Sequence, residues 1–562
     1  MSYFQDFPNT NFYNQDLGWL IKKYKELNGD VKILQQIYDM IKEQIKDITI
    51  EQLQKWLDDG TLTDIIEQTY NQFLPYVAKD VVVLSEYEKD NQNMTKRLQN
   101  AINYTSTNKL KLYVDMDVLI DNTIYLKPYT HLISNRFKFK IYTETGISLN
   151  GLTMFMAYEQ DNIIIDNVRF ENTGYGSGGS TGTLGRFDGF GNAVALGGCD
   201  NVTVKNCHFF KCGGYNHQEG NGMLWLSLCT NSLVKDCIFE LGDNGIEIDR
   251  WYANINPNKQ NNGVIVDSCF FKTLSGRGIV IENNTADKIG NIICTNNVMY
   301  DFYVTGFEGR CFAQTMLVNN IIDGNLNLRV NPMQKYGLTE IGWDWSKYML
   351  DKTQFGFQLI NGPNTPLINN NIINNVNMGI FIGNIENGNI QDNQFKDCNY
   401  GINITNTENN CDNLICTGNS IKGTNGITMN FNDKAIKSLL INSNILLMSS
   451  GYAIHLLHIS NFSIKDNVIA GTNAQDSIHA IKLEYCNDGY CDNQVNGRFR
   501  SGIDIEYGNR IQSYMKTNNC INVQRLRNTA KVLLLSYGFG YDVRNNTDGS
   551  VTELTEISTT GE

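Results

Sequence analysis

The chain has 562 residues, 41% of them hydrophobic, and a formal net charge of −13 at pH 7. That length suits a large domain plus accessory segments, and the negative balance argues against a nucleic-acid partner. No run of about 18 apolar residues occurs, and Met1-Ser2-Tyr3-Phe4-Gln5 is not a basic stretch leading into an apolar one, so neither membrane insertion nor a secretory signal is expected.

Residues 1–82 read as a helical segment. Leu17, Leu20, Tyr24, Leu27, Val31, Leu34, Tyr38, Ile41, Ile45 and Ile48 alternate spacings of three and four, the seam of a coiled coil. Asn28-Gly29-Asp30 interrupts the seam, and Thr49 with Gln52 forms a capping box for a helix carrying Leu53 and Trp56. A seam without a core of its own calls for oligomerisation, docking on a larger assembly, or intramolecular helix packing.

Residues 83–150 read as the opening and cap of the next domain. A helix over 93–104, with Leu98, Ala101 and Ile102 on one face, is placed to cover an exposed apolar cross-section. First strands are predicted at 110–114, 118–120 and 124–126.

Residues 151–525 repeat a six-residue sentence: apolar, any, polar, Asn or Cys, any, apolar. Val204-Lys205-Asn206-Cys207-His208-Phe209 is one copy. The fourth position runs Cys207, Cys237, Cys269, Asn297, Asn320, Asn371, Asn393, Asn419, Asn444, Asn467, Asn493 and Asn518. A second refrain, a small residue followed by alternating apolar residues, includes Gly245-Ile246-Glu247-Ile248-Asp249 and Gly278-Ile279-Val280-Ile281-Glu282. Period-two runs too short to bury their own face must stack. The recurring Asn suits a turn that tolerates left-handed backbone and pairs amides up the stack. The fold class predicted is mainly β, a right-handed parallel β-helix preceded by the α-helical segment, with 526–562 as a short C-terminal cap or tail.

The 14 cysteines include no Cys-x-x-Cys pair, and Cys207, Cys237 and Cys269 occupy an interior repeat position. They read as free packing thiols, consistent with assembly in a reducing cytoplasm. No metal site and no cofactor are expected.

Repeat length points to function. Copies lie 22 to 26 residues apart from Asn371 to Asn518, but 28 to 39 apart between Val168 and Asn297, and 51 from Asn320 to Asn371. Insertions on a solenoid become flanking loops, where binding and chemistry concentrate. Aligning the second refrain puts Asp249 and Glu282 at one outward position of consecutive coils, with Glu247 on the same face. Paired carboxylates of this kind suit glycoside cleavage, and like charges side by side separate their pKa values. They equally suit a plain solvated strand face, as at Glu484 and Glu506. His217 is a weaker acid or base candidate from the preceding coil. Arg250, Trp251, Tyr252 and Arg277 flank the carboxylates, and Trp343, Trp345 and Tyr348 in the longest insertion form a candidate saccharide platform.

The opening Phe7-Pro8-Asn9-Thr10-Asn11-Phe12-Tyr13, Trp19-Leu20-Ile21-Lys22-Lys23-Tyr24 and the stretch from Leu53 to Leu62 resemble the N-terminal segment of tail appendage proteins from phages of Gram-positive bacteria. The repeats resemble the pectin-lyase-like β-helix of phage tailspikes, including preneck appendages. The resemblance implies a homotrimer in the virion tail, made in the host cytoplasm. It would attach to other tail or collar proteins through its N-terminal segment and present the β-helix to a host polysaccharide or teichoic acid. The rival functions are a depolymerase of that polymer on the same scaffold and a purely structural virion spacer.

Overall fold

The computed structural model describes residues 80–89, 91–143, 153–172, 192–212, 222–242, 244–250, 252, 256, 262–274, 276–282, 290–310, 314–324, 354–360, 365–406, 410–432, 436–471, 479–497, 499, 501–506, 509–516, 527–528 and 539–542. The seam at 17–48, the capping box at Thr49 and the tail beyond residue 542 lie outside them. The chain divides into two units, Met1–Val83 and Leu84–Glu562.

The second unit is a right-handed parallel β-helix. Each full coil contributes three strands. Gly222–Ser227, Thr230–Lys235 and Ile238–Gly242 make one coil, and Asn244–Asp249 opens the next by pairing in parallel with Gly222–Ser227. Three ladders result, called here the first, second and third sheets in that order. The first runs from Ile124–Tyr125 and Phe155–Tyr158 through Ser501–Glu506 to Arg527–Asn528.

The six-residue sentence spans the turn from second to third sheet. The repeat pattern predicts one position for both left-handed backbone and amide stacking; in the structure the left-handed backbone falls on the third position and the buried amide column on the fourth. The third position takes positive φ: Asn206 at 55°, Asp236 at 52°, Asn296 at 57°, Asn319 at 57° and Asn370 at 55°. Asn and Asp tolerate this region best among residues with a side chain. The fourth position points inward instead. Asn297 Nδ2 donates to Val266 O and to Asn320 Oδ1, both at 3.0 Å, and Asn320 repeats the pattern on Asn371. The column continues through Asn393, Asn419, Asn444 and Asn467 to Asn493. Each amide thereby satisfies a buried carbonyl where two strands part.

Cys207, Cys237 and Cys269 head the same column, their thiols directed at backbone carbonyls such as Lys205 O. All twelve described cysteines are free and buried. Burial pushes the Cys486 thiol up to about 12, so these sulfurs pack rather than react.

The third sheet aims Phe170, Phe209, Phe239 and Phe271 into the core, with the last three stacked at 4.7 and 4.9 Å, the spacing of the strands that carry them. The small residue of the second refrain also has a physical cause. A Cβ added at Gly278, Gly356 or Gly379 would lie 2.5 to 2.6 Å from the carbonyl oxygen of the glycine one coil on.

The predicted cap helix runs Met94–Asn108, four residues past its expected end. Asn93 caps it by accepting from Lys96 N at 2.8 Å, and Lys109 closes it in the left-handed region. Leu98, Ala101 and Ile102 are fully buried, as expected. Gln99 completes a strand edge, its amide donating to Tyr125 O at 2.9 Å and accepting from Tyr125 N at 2.7 Å.

Candidate functional site

The insertions all open at the ends of first-sheet strands. Residues 173–193, 211–221 and 324–354 precede such strands, and 250–261 and 283–291 follow them. Between them lies the sheet's outer face. Its two outward columns, in register, are Met156, Ala195, Trp225, Glu247, Val280 and Glu308, and beside them Tyr158, Gly197, Ser227, Asp249 and Glu282.

Asp249 and Glu282 are direct partners on adjacent strands, as the alignment of the refrain predicts. Their setting differs from the expectation of an outward, solvated face. Trp225 and Glu247 are 0% exposed, and Asp249 and Glu308 are 2% exposed. Glu247 Oε2 accepts from Gly222 N at 3.2 Å. The Trp225 ring packs with Met156 and Ala195, with Tyr158 against them. A polar cluster on the outside of a β-helix is thus held out of water.

Two arginines compensate it. Arg277 Nε donates to Glu308, and Arg310 donates to the same carboxylate from Nη2 at 2.8 Å and Nε at 3.1 Å. Arg310 also reaches Glu282 at 3.8 Å. Burial pushes the Glu308 carboxyl up, but the charges and hydrogen bonds of Arg277 and Arg310 outweigh it and hold it below the usual carboxylate range. Glu308 is therefore an anion at neutral pH, and Arg277 serves in this chain as its partner.

Glu308 and Arg310 are not among the residues that the refrain singles out. Thr305-Gly306-Phe307-Glu308-Gly309-Arg310 has Phe and Gly where the refrain has two isoleucines, so the copy did not stand out. Sliding Gly306 under Gly278 would have put Glu308 beside Val280, the register observed.

Tyr252 was a candidate for substrate contact. It is 3% exposed, stacks on Tyr158 at 5.7 Å and lies over Gly197 and Gly198, leaving no room there for a Cβ. Burial, with Glu159 nearby, pushes its hydroxyl up to about 12, so it acts as a neutral wall. Arg250 directly follows Asp249 at the strand end and is half-buried. His217, Trp251, Trp343, Trp345 and Tyr348 lie outside the described residues.

The lean coils give a contrast. Glu484 occupies the Asp249 and Glu282 position but is tied to His455 at 2.7 Å and to Lys482 at 2.5 Å, both on the same outward face and, like Glu484, partly exposed. Burial raises its pKa, and those two partners reverse the shift.

A family model described as a right handed beta helix region matches residues 99–286. No curated protein matches the chain. Among solved structures, the chain is similar to the surface adhesin PfbA of Streptococcus pneumoniae, at 14% identity over 81% of this chain and 99% of that one, with a TM-score of 0.41. It is also similar to the tailspike protein of E. coli bacteriophage HK620 in complex with pentasaccharide, at 13% identity over 77% and 78% of the two chains, with a TM-score of 0.45. The Dettilon tailspike protein is 12% identical over 80% of this chain and 69% of its own, with a TM-score of 0.31. These likenesses concern the fold, a right-handed parallel β-helix.

Proposed function

We propose that the chain is a virion tail appendage that binds a polysaccharide on the host cell surface during adsorption. In this reading it acts as a homotrimer attached to other tail proteins through residues 1–82. One observation carries the proposal: the first sheet brings Glu247, Asp249, Glu282 and Glu308 together on three consecutive strands, and every long insertion in the sequence joins an end of a first-sheet strand. Polar groups converge on this rigid sheet, and the partly exposed Glu282 and Arg310 at its edge are the ones positioned to meet a hydroxyl-rich chain. The N-terminal motifs, by their resemblance, support the virion assignment. A neutral polysaccharide fits better than teichoic acid, because Arg277 and Arg310 are already engaged by Glu308 and the chain carries a net charge of −13.

A second reading, depolymerase activity, is favoured by the register of Asp249 against Glu282. Neighbouring strands lie about 4.8 Å apart, near the roughly 5–5.5 Å carboxyl separation of retaining glycosidases. If the protein shortens a surface polymer, Asp249→Asn with Glu282→Gln should slow product release by about 10²–10⁴-fold and leave polymer retention intact. Unchanged release in the double variant would remove both residues from the chemistry.

A further inference from the structure

The outer faces of the second and third sheets have a different character from that of the first. On the second sheet, Leu233, Ile265, Ile293, Met316 and Leu367 form one unbroken outward column over five consecutive coils. On the third, Ile238, Phe270, Val298, Ile321 and Ile372 do the same on the same five coils. None of the ten is buried, and Ile265, Phe270 and Ile321 are 37 to 40% exposed, with Tyr300 at 48% beside them. The columns are interrupted by Thr203 and His208 on one side and by Asn389 and Gln394 on the other, and apolar residues resume beyond the second interruption at Ile415 and Ile445. The five-coil run is contiguous, and contiguous exposed apolar patches mark interaction surfaces.

We infer that this five-coil corner is where copies of the chain pack against one another, an inference that rests on the oligomer in the proposed function. Three features favour a second copy as the occupant. The apolar side chains recur at the strand spacing, so a partner built on the same repeat meets each of them in turn. Five coils span roughly 24 Å at about 4.8 Å each, the scale of one side of a standard interface of about 800 Å² per partner. Two ion pairs flank the columns, Lys235 with Asp267 at 3.2 Å and Lys272 with Glu240 at 3.4 Å, so those charges do not repel a second acidic chain.

The placement has a functional consequence. In a three-stranded coil the corner between second and third sheets lies across from the first sheet. Packing through it leaves the first-sheet face of every copy turned outward, and the polysaccharide site lies within one subunit.

The test uses the full chain at micromolar concentration. Light scattering should give an oligomer, and Ile293→p-benzoylphenylalanine should yield covalent oligomers on irradiation, whereas Ser420→p-benzoylphenylalanine, beyond the patch, should not. A monomeric wild type overturns the inference, as does an oligomer that crosslinks no better from 293 than from 420. Phe270→Asp with Ile293→Asp should weaken association at least tenfold while retaining the circular dichroism of the wild type and its binding of host wall polysaccharide. Polysaccharide binding lost along with the oligomer, with the spectrum intact, would overturn the intra-subunit site. An intact oligomer that binds no polysaccharide would overturn the functional reading and leave the interface standing.

Discussion

Replacing Asn371 with Leu should destabilise the β-helix by about 3–5 kcal/mol, close to the largest loss a single substitution produces. Asn371 is 0% exposed at the middle of the amide column. Its Nδ2 donates to Leu317 O at 2.8 Å and Asn393 Oδ1 at 2.9 Å, and its Oδ1 accepts from Asn320 N at 2.8 Å. Leucine nearly fills the volume but satisfies none of these groups, and each buried orphan costs about 1–3 kcal/mol. The neighbour separates the two duties of the turn. Asn370→Ala, at φ 55°, loses only the tolerance for left-handed backbone and should cost about 1–2 kcal/mol. Denaturant unfolding followed by far-ultraviolet circular dichroism measures both. Equal losses at 370 and 371 would contradict the division of labour.

The second large effect is expected at Glu308. Glu308→Gln keeps the shape of the side chain but removes the buried anion that the partly exposed Arg277 and Arg310 share, and breaking such a pair costs at most about 3–5 kcal/mol. The pH dependence has a definite sign. Because the folded-state pKa of Glu308 lies below its unfolded value near 4.5, its contribution is fully present above that value. The contribution is lost as pH falls through the depressed folded pKa. The gap between wild type and variant should therefore be widest near neutrality and shrink in acid. A gap that does not vary with pH would mean that Glu308 acts through shape alone. The same variant should weaken polysaccharide binding, since Arg277 and Arg310 would no longer be held against the strand.

The repeat made most of the scaffold legible. The inward column from Cys207 to Asn493, the outward pairing of Asp249 with Glu282 and the cap helix all follow from period and spacing, because each is dictated by one or two local residues. What could not be read is how many groups share a site. Nothing local distinguishes the carboxylates of Asp249 and Glu484, yet one is 2% exposed between Ser227 and Glu282 and the other is partly exposed and paired with His455 and Lys482. That difference comes from residues 20 to 60 positions away. Trp225 was hidden for a related reason: an apolar residue at an outward position carries no sign of which face it lies on until the register is known. The apolar columns of the second and third sheets were equally silent, since Ile265 and Ile293 alternate with inward Val264 and Ile292 in strands that read as buried on both sides.

The proposed function requires the first-sheet face to bind a polysaccharide. The direct measurement is retention of the purified full chain on host cell walls and on the wall polysaccharide freed of teichoic acid, with polymer size followed over time and Glu308→Gln run in parallel. Saturable binding to the teichoic acid-free polysaccharide, weakened in the variant, is the predicted result. Absence of binding to either preparation by a folded wild type would contradict a polysaccharide-binding role for the first-sheet face.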